Sequence, residues 1–133
     1  MRWLTVKKLK LADAASALPL IQLHHKELGL AEWTDYARDV LNDSNGGNTQ
    51  GFLVAYDGQG TVHGILQYEM RRDLVGQSWM VATNILVCGL FHRHRVRVTR
   101  ALTESLSDMA SDFDCEQVAI TIPAIDYLQS LGS

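Results

Sequence analysis

The spacing of apolar residues changes along this chain, and each change marks an element. The run WLTVKKL, Trp3 to Leu9, predicts a short strand. Asp13 then opens a helix in which Leu18, Ile21 and Leu28 fall near one face while Lys26 and Glu27 look outward. A second helix follows from about Ala31 to Leu41. The polar stretch NDSNGGNTQG, Asn42 to Gly51, ends this helical pattern. Beyond it the period drops from about 3.6 to about 2. The runs GFLVAYD and TVHGILQYEM flank the turn sequence DGQG, Asp57 to Gly60, and predict an antiparallel hairpin. A longer apolar strand is expected from Trp79 to Leu90. Next, Val98, Ala101, Leu102, Leu106, Met109 and Phe113 recur at helical spacing, so the segment from about Arg95 to Phe113 reads as an amphipathic helix packed on a sheet. The strand QVAITI, 117 to 122, and a short helix after Pro123 come last. The order βααβββαβα describes an α/β fold with a mixed sheet.

Composition narrows the picture. At 133 residues the chain has the length of one domain, 1–133, enough to bury a core without disulfides or metal. A net charge of -3 argues against a general nucleic-acid binder, so any basic feature is local. Cys88 and Cys115 lie in apolar stretches and read as reduced core thiols, which points to a cytoplasmic setting. No stretch reaches the roughly 18 apolar residues of a membrane span. The N-terminal MRWLTVKKLKLAD lacks the apolar centre of a signal peptide.

Against this mildly acidic background, His92 to Arg100 (HRHRVRVTR) holds four arginines and two histidines with no acid. It falls where the long helix is about to begin. A helix N-terminus exposes unpaired N–H groups and about half a positive charge, so an anion suits it, while cations there oppose the dipole by a few tenths of a kcal/mol each. An unfavourable term repeated four times asks for a reason outside helix stability.

The order of elements and their punctuation resemble the GNAT superfamily of acyl-CoA-dependent N-acetyltransferases. GFLVAYDGQGTVHGILQYEM, Gly51 to Met70, is similar to the family's second and third strands, with the third strand's glycine at Gly64. NILVCGLFHRHRVRVTRAL occupies the place of the fourth strand and the pyrophosphate loop, and AIDYLQSLGS resembles the family's a..fYeklGF. The resemblance implies a mixed sheet flanked by helices that lacks the last strands of the usual fold. It further implies acetyl-CoA as co-substrate and an amine of a small molecule or protein as acceptor. A sheet without its last strands leaves an apolar edge that invites pairing, so a homodimer covering the strand 117–122 or the last helix is expected.

The family's pyrophosphate loop, Gln/Arg-x-x-Gly-x-Gly/Ala, falls on His94, Arg97 and Thr99, or one residue back on Arg93, Val96 and Val98. Neither register keeps a glycine. Two readings stand side by side. In one, Arg93, Arg95, Arg97 and Arg100 supply guanidinium donors in place of backbone N–H groups. In the other, Val96, Arg97 and Val98 fill the cradle and the arginines are a solvated helix start. The rival to an enzyme is a catalytically silent module that binds a CoA-like ligand or a protein partner. A third option, an enzyme holding tRNA phosphates on the arginines, sits poorly with the overall charge.

For catalysis the resemblance implies backbone N–H groups near Leu86, Val87 and Cys88 on the fourth strand, which polarise the thioester carbonyl. It points to a tyrosine acid in the last helix, at the place of Leu128; Tyr127 sits one residue early, a turn of about 100°, and is the candidate acid or else a packed core aromatic. Glu69 is the candidate base, through water, or else a carboxylate on a half-exposed strand. His63 reads as an exposed strand residue. His24, His25, Trp33 and Tyr36 are candidates for lining an acceptor cleft. His92-x-His94 has no partner cluster in the sequence and is not read as a metal site.

Overall fold

A computed structural model describes residues 4–42, 50–72, 74–89, 91–113, 115 and 117–120. Its sheet has five strands in chain order: β1 (Thr5–Lys8), β2 (Gln50–Tyr56), β3 (Val62–Arg72), β4 (Ser78–Val87) and β5 (Gln117–Ile120). The first four pair antiparallel, and β4 pairs with β5 in parallel. A parallel neighbour requires a crossover, which α3 (His92–Asp112) provides. On the other face lie a short 3-10 helix (Leu11–Ala17), α1 (Leu18–His24) and α2 (Leu30–Leu41). The mixed α/β sheet and its element order are those expected. Trp3, residues 43–49, the end of the strand at 121–122 and the helix after Pro123 lie outside the described residues.

Two departures matter for the site. The helix expected from Asp13 through Leu28 divides: the 3-10 turns come first, and α1 starts with Pro19 in its first turn, where a missing N–H is harmless. More consequentially, α3 begins at His92, three residues before the expected Arg95. Phe91 is its N-cap and offers no side-chain cap. The whole basic run is therefore helical.

Helices cover both faces of the sheet, so β2 is apolar nearly throughout. Leu53 and Ala55 share a core with Val98, Leu102 and Leu106 of α3. Phe52 and Val54 share another with Ala17, Leu20 and Ala37.

Strict alternation fails at two points. Gln67 pairs with Asn84 and Tyr68 with Ala82, which leaves Thr83 as an extra residue in β4. Met80 and Ala82 before it, and Ile85 and Val87 after it, all face the α3 core. An unbroken strand would have sent the second pair to the opposite face. A second bulge leaves His63 extra between Val62 and Gly64. Val62 and Ile65 join the α1–α2 core, while Gly64 turns to α3. A Cβ on Gly64 would lie 2.5 Å from Val98 Cγ1, so this glycine sets how closely α3 lies on the sheet.

Candidate functional site

The C-terminal end of β4 joins the features that carry chemistry. Cys88 donates its backbone N–H to the His63 carbonyl at 3.0 Å. By the alternation of an antiparallel ladder, the N–H of Leu86 also faces β3, and that of Val87 faces the other way, on the side where β5 pairs farther down. The Val87 carbonyl points outward as well: His24 Nε2 donates to it at 3.3 Å and ties the end of α1 to this strand. Of the three residues expected to supply a backbone donor, Val87 is the one whose N–H is turned away from β3, toward the β5 side. Described β5 meets β4 across Trp79–Ala82 only, short of this point.

On the α1–α2 face, directly beside this strand end, lies a cavity of about 210 Å³. Its apolar wall is built by Ile21, Leu28, Phe52, Ile65 and Leu86. Trp33 and Tyr36, three apart on α2, close it. The Trp33 ring stands edge-on to Phe52 at 5.4 Å, and its indole N–H is anchored on the Ala14 carbonyl at 2.7 Å. The polar lining is His25, Gln67 and Asn84. Gln67 Oε1 accepts from the Tyr36 hydroxyl and from Asn84 Nδ2, both at 2.8 Å. Asn84 and Leu86 reach this cavity because the Thr83 bulge reverses the facing of β4.

On the opposite side of the strand end stands the start of α3. With no side-chain cap and no acid in its first turn, the backbone N–H groups of His92 and Arg93 have no partner within the helix. The N–H groups farther in are bonded along the helix, beginning with Arg95 N–H to the Phe91 carbonyl. Arg93, Arg97 and Arg100 are exposed. At about 100° per residue they fall within about 60° of one another and form a basic stripe over the first turns. Arg95 instead sends its guanidinium back to the Gly89 carbonyl, closing the loop between β4 and α3. Val98 and Thr99 are buried against the sheet, and Val96 is half-buried.

A chain of ionisable groups borders this loop. His63 Nε2–H donates to Asp57 Oδ2 at 2.9 Å, and His63 Nδ1 lies 3.2 Å from His94 Nε2. Because the carboxylate only accepts, a neutral His63 carries its proton on Nε2 and takes a hydrogen bond from His94 on Nδ1. The His63 bond and the amides of Thr61 and Gln59 hold the Asp57 carboxyl below its usual range. Burial, then the nearby charges of His63, Arg97 and Arg95, depress the His94 pKa. The His94 ring packs on Gly89, whose φ of +146° and 2.2 Å from a would-be Cβ to His94 Cδ2 leave no room for a side chain. His63, expected to be exposed, is thus a partly buried link, made so by the bulge at its own position. No pattern of alternation points to such a contact.

Glu69 lies on the cavity face of β3 two residues beyond Gln67, but its carboxylate is bonded to Arg71 and does not line the cavity. Burial raises the pKa of the Cys88 thiol, which lies 4.0 Å from the Val62 carbonyl. His25 lines the cavity; its neighbour His24 does not. Tyr127 lies outside the described residues. Gln67 and Asn84 carried no sequence signal, being ordinary polar positions on half-exposed strands.

No family model matches this sequence, and no curated protein does. Solved structures do. The ribosomal-protein-alanine N-acetyltransferase of Brucella melitensis biovar Abortus 2308 aligns over 92% of this chain and 82% of its own, with a TM-score of 0.70 and 22% identity. The aminoglycoside N-acetyltransferase AAC(6')-Iy, solved in complex with CoA, aligns over 97% and 86%, with a TM-score of 0.73 and 13% identity. A GNAT family acetyltransferase of Staphylococcus aureus aligns over 90% and 87%, with a TM-score of 0.73 and 10% identity.

Proposed function

From the fold of the GNAT acetyltransferases, which this chain has, we propose that it is an acyl-CoA-dependent N-acetyltransferase acting on a primary amine of a small molecule or protein. The observation that carries this reading is the end of β4, where the outward Val87 N–H stands between an apolar cavity and an uncapped, basic helix start.

The residues present suit acetyl-CoA. Its pyrophosphate is matched by the first N–H groups of the uncapped helix, those of His92 and Arg93, and by the exposed guanidinium groups of Arg93, Arg97 and Arg100. Guanidinium groups thus stand in for the missing glycines, while Val96, Val98 and Thr99 shape and pack the same helix. Acetyl-CoA supplies an activated acetyl group. The proposed role of the Val87 N–H is to donate to the thioester oxygen as negative charge grows there, with Leu86 and Cys88 fixing the strand on either side. A half-buried Cys88 thiol whose pKa is raised is a poor nucleophile, so the acetyl group passes directly to the amine. The C–N bond forms as the C–S bond breaks; the amine proton leaves through water toward Glu69, and Tyr127 is the proposed acid for the departing thiolate.

The pairing of Glu69 with Arg71 favours a second reading, a silent module that binds a CoA-like ligand or a protein partner without turnover. Mass spectrometry of a panel of primary amines incubated with the protein and acetyl-CoA separates the two. A mass gain of one acetyl group on an amine supports the enzyme; CoA binding without any acetylated amine supports the module.

A further inference from the structure

The cavity under α1 and α2 restricts the acceptor. Resting on the reading above, we infer that this cavity takes a compact monoamine with an apolar, ring-sized body, and not a polyamine, a polyamino sugar or a peptide. The first argument is size. An apolar protein cavity of roughly 150 Å³ takes up benzene, and this one measures about 210 Å³, which accommodates a ring with a short arm.

The second argument is the wall. Phe52 stands between Trp33 and Tyr36 with ring centroids at 5.4 and 6.3 Å, all tilted or edge-on to one another. Such a trio offers both faces and edges to an aromatic or cycloaliphatic body. The third is charge. Among the described residues that line the cavity there is no Asp, Glu, Lys or Arg. A polycation entering it would lose water with no carboxylate to replace it. For a single amine the same surroundings help, since burial disfavours the ammonium form and leaves the neutral nitrogen that attacks a thioester.

The fourth argument is the placement of polar atoms. Gln67 Oε1 already accepts two hydrogen bonds, so the group it can offer a ligand is its NH2; Asn84, which donates through Nδ2, can offer Oδ1. These two groups and His25 suit one nitrogen that both donates and accepts. Asn84 and Leu86 stand beside Val87 on β4, so that nitrogen and the proposed thioester site share one strand end.

Isothermal titration of the full chain without acetyl-CoA tests the ligand class apart from turnover. 2-Phenylethylamine is expected to bind saturably and at least tenfold more tightly than spermidine, kanamycin or an alanine tetrapeptide. Asn84→Trp at the exposed rim, or Leu28→Trp where the first variant melts early, is expected to abolish that binding. Tighter binding of spermidine, or unchanged binding of 2-phenylethylamine in both variants, overturns the inference. Mass spectrometry of the same amines with acetyl-CoA then separates the two claims. Binding of 2-phenylethylamine without its acetylation supports the ligand class and overturns the acetyltransferase reading. Acetylation of spermidine but not of 2-phenylethylamine does the reverse.

Discussion

Arg93 and Arg97 lie four residues apart on the exposed face of α3, while Arg95 between them turns back to the Gly89 carbonyl. Equal charge at neighbouring positions thus predicts unequal effects. Arg93→Ala and Arg97→Ala should each weaken acetyl-CoA binding by about tenfold, the worth of one charge-assisted bond at a partly solvated site. Their melting temperatures should hold or rise slightly, because each cation opposes the helix dipole. Arg95→Ala should instead lower the melting temperature, by an amount corresponding to about 1 kcal/mol, as the loop carbonyl loses its donor. Calorimetry and thermal melts on the three variants check the division. His94 makes a prediction in pH. Its pKa is lower folded than unfolded, so the folded chain binds fewer protons there. Its contribution to stability is complete above the unfolded value of about 6.5 and declines as pH falls from there toward the folded value. Asp57, also depressed, adds a second loss below about pH 3.8. Melts from pH 7.5 to 5 should show falling stability in the parent and a flatter profile in His94→Phe; parallel profiles would refute it.

At the scale of elements, the two bulges govern what the site contains. Gly64 lies just past one of them and lets α3 seat on the sheet. Gly64→Ala forces a Cβ to 2.5 Å from Val98 Cγ1. The change should destabilise by about 1–3 kcal/mol. Val98→Ala should recover part of that loss in a double-mutant cycle, since the two sites touch; additive effects in denaturant melts would contradict the contact. The bulges also show where sequence reading stops. The DGQG turn and the alternating runs around it were legible as a hairpin, and Val98, Leu102, Leu106 and Met109 as the buried stripe of α3. One extra residue, Thr83 or His63, leaves composition and local propensity unchanged while it reverses the facing of everything after it. Asn84, Leu86 and the Asp57–His63–His94 chain were therefore beyond reach of periodicity. The start of α3 was expected three residues late for a similar reason: Phe91 is a cap without a Ser, Thr, Asp or Asn cue, and so His92, Arg93 and His94 were read as preceding the helix rather than forming its first turn.

At the scale of the whole molecule, one strand end organises the chain. β4 is central enough to be covered by helices on both faces, and its end meets the cavity on one side and α3 on the other. That arrangement ties the fold to the proposed chemistry, because the backbone donor of Val87 does not depend on any side chain in the altered loop. Among the described residues no helix is long and apolar enough to cross a membrane. In the proposed function, this strand end and the glycine-free start of α3 form an acetyl-CoA site. Isothermal titration of acetyl-CoA into the full chain, alongside an Arg93→Ala, Arg97→Ala double variant of unchanged melting temperature, tests it most directly. The account predicts one saturable site in the parent, weakened by about a hundredfold in the double variant as two charge-assisted bonds are lost. No heat of binding in the parent, or equal affinity in both proteins, would contradict it.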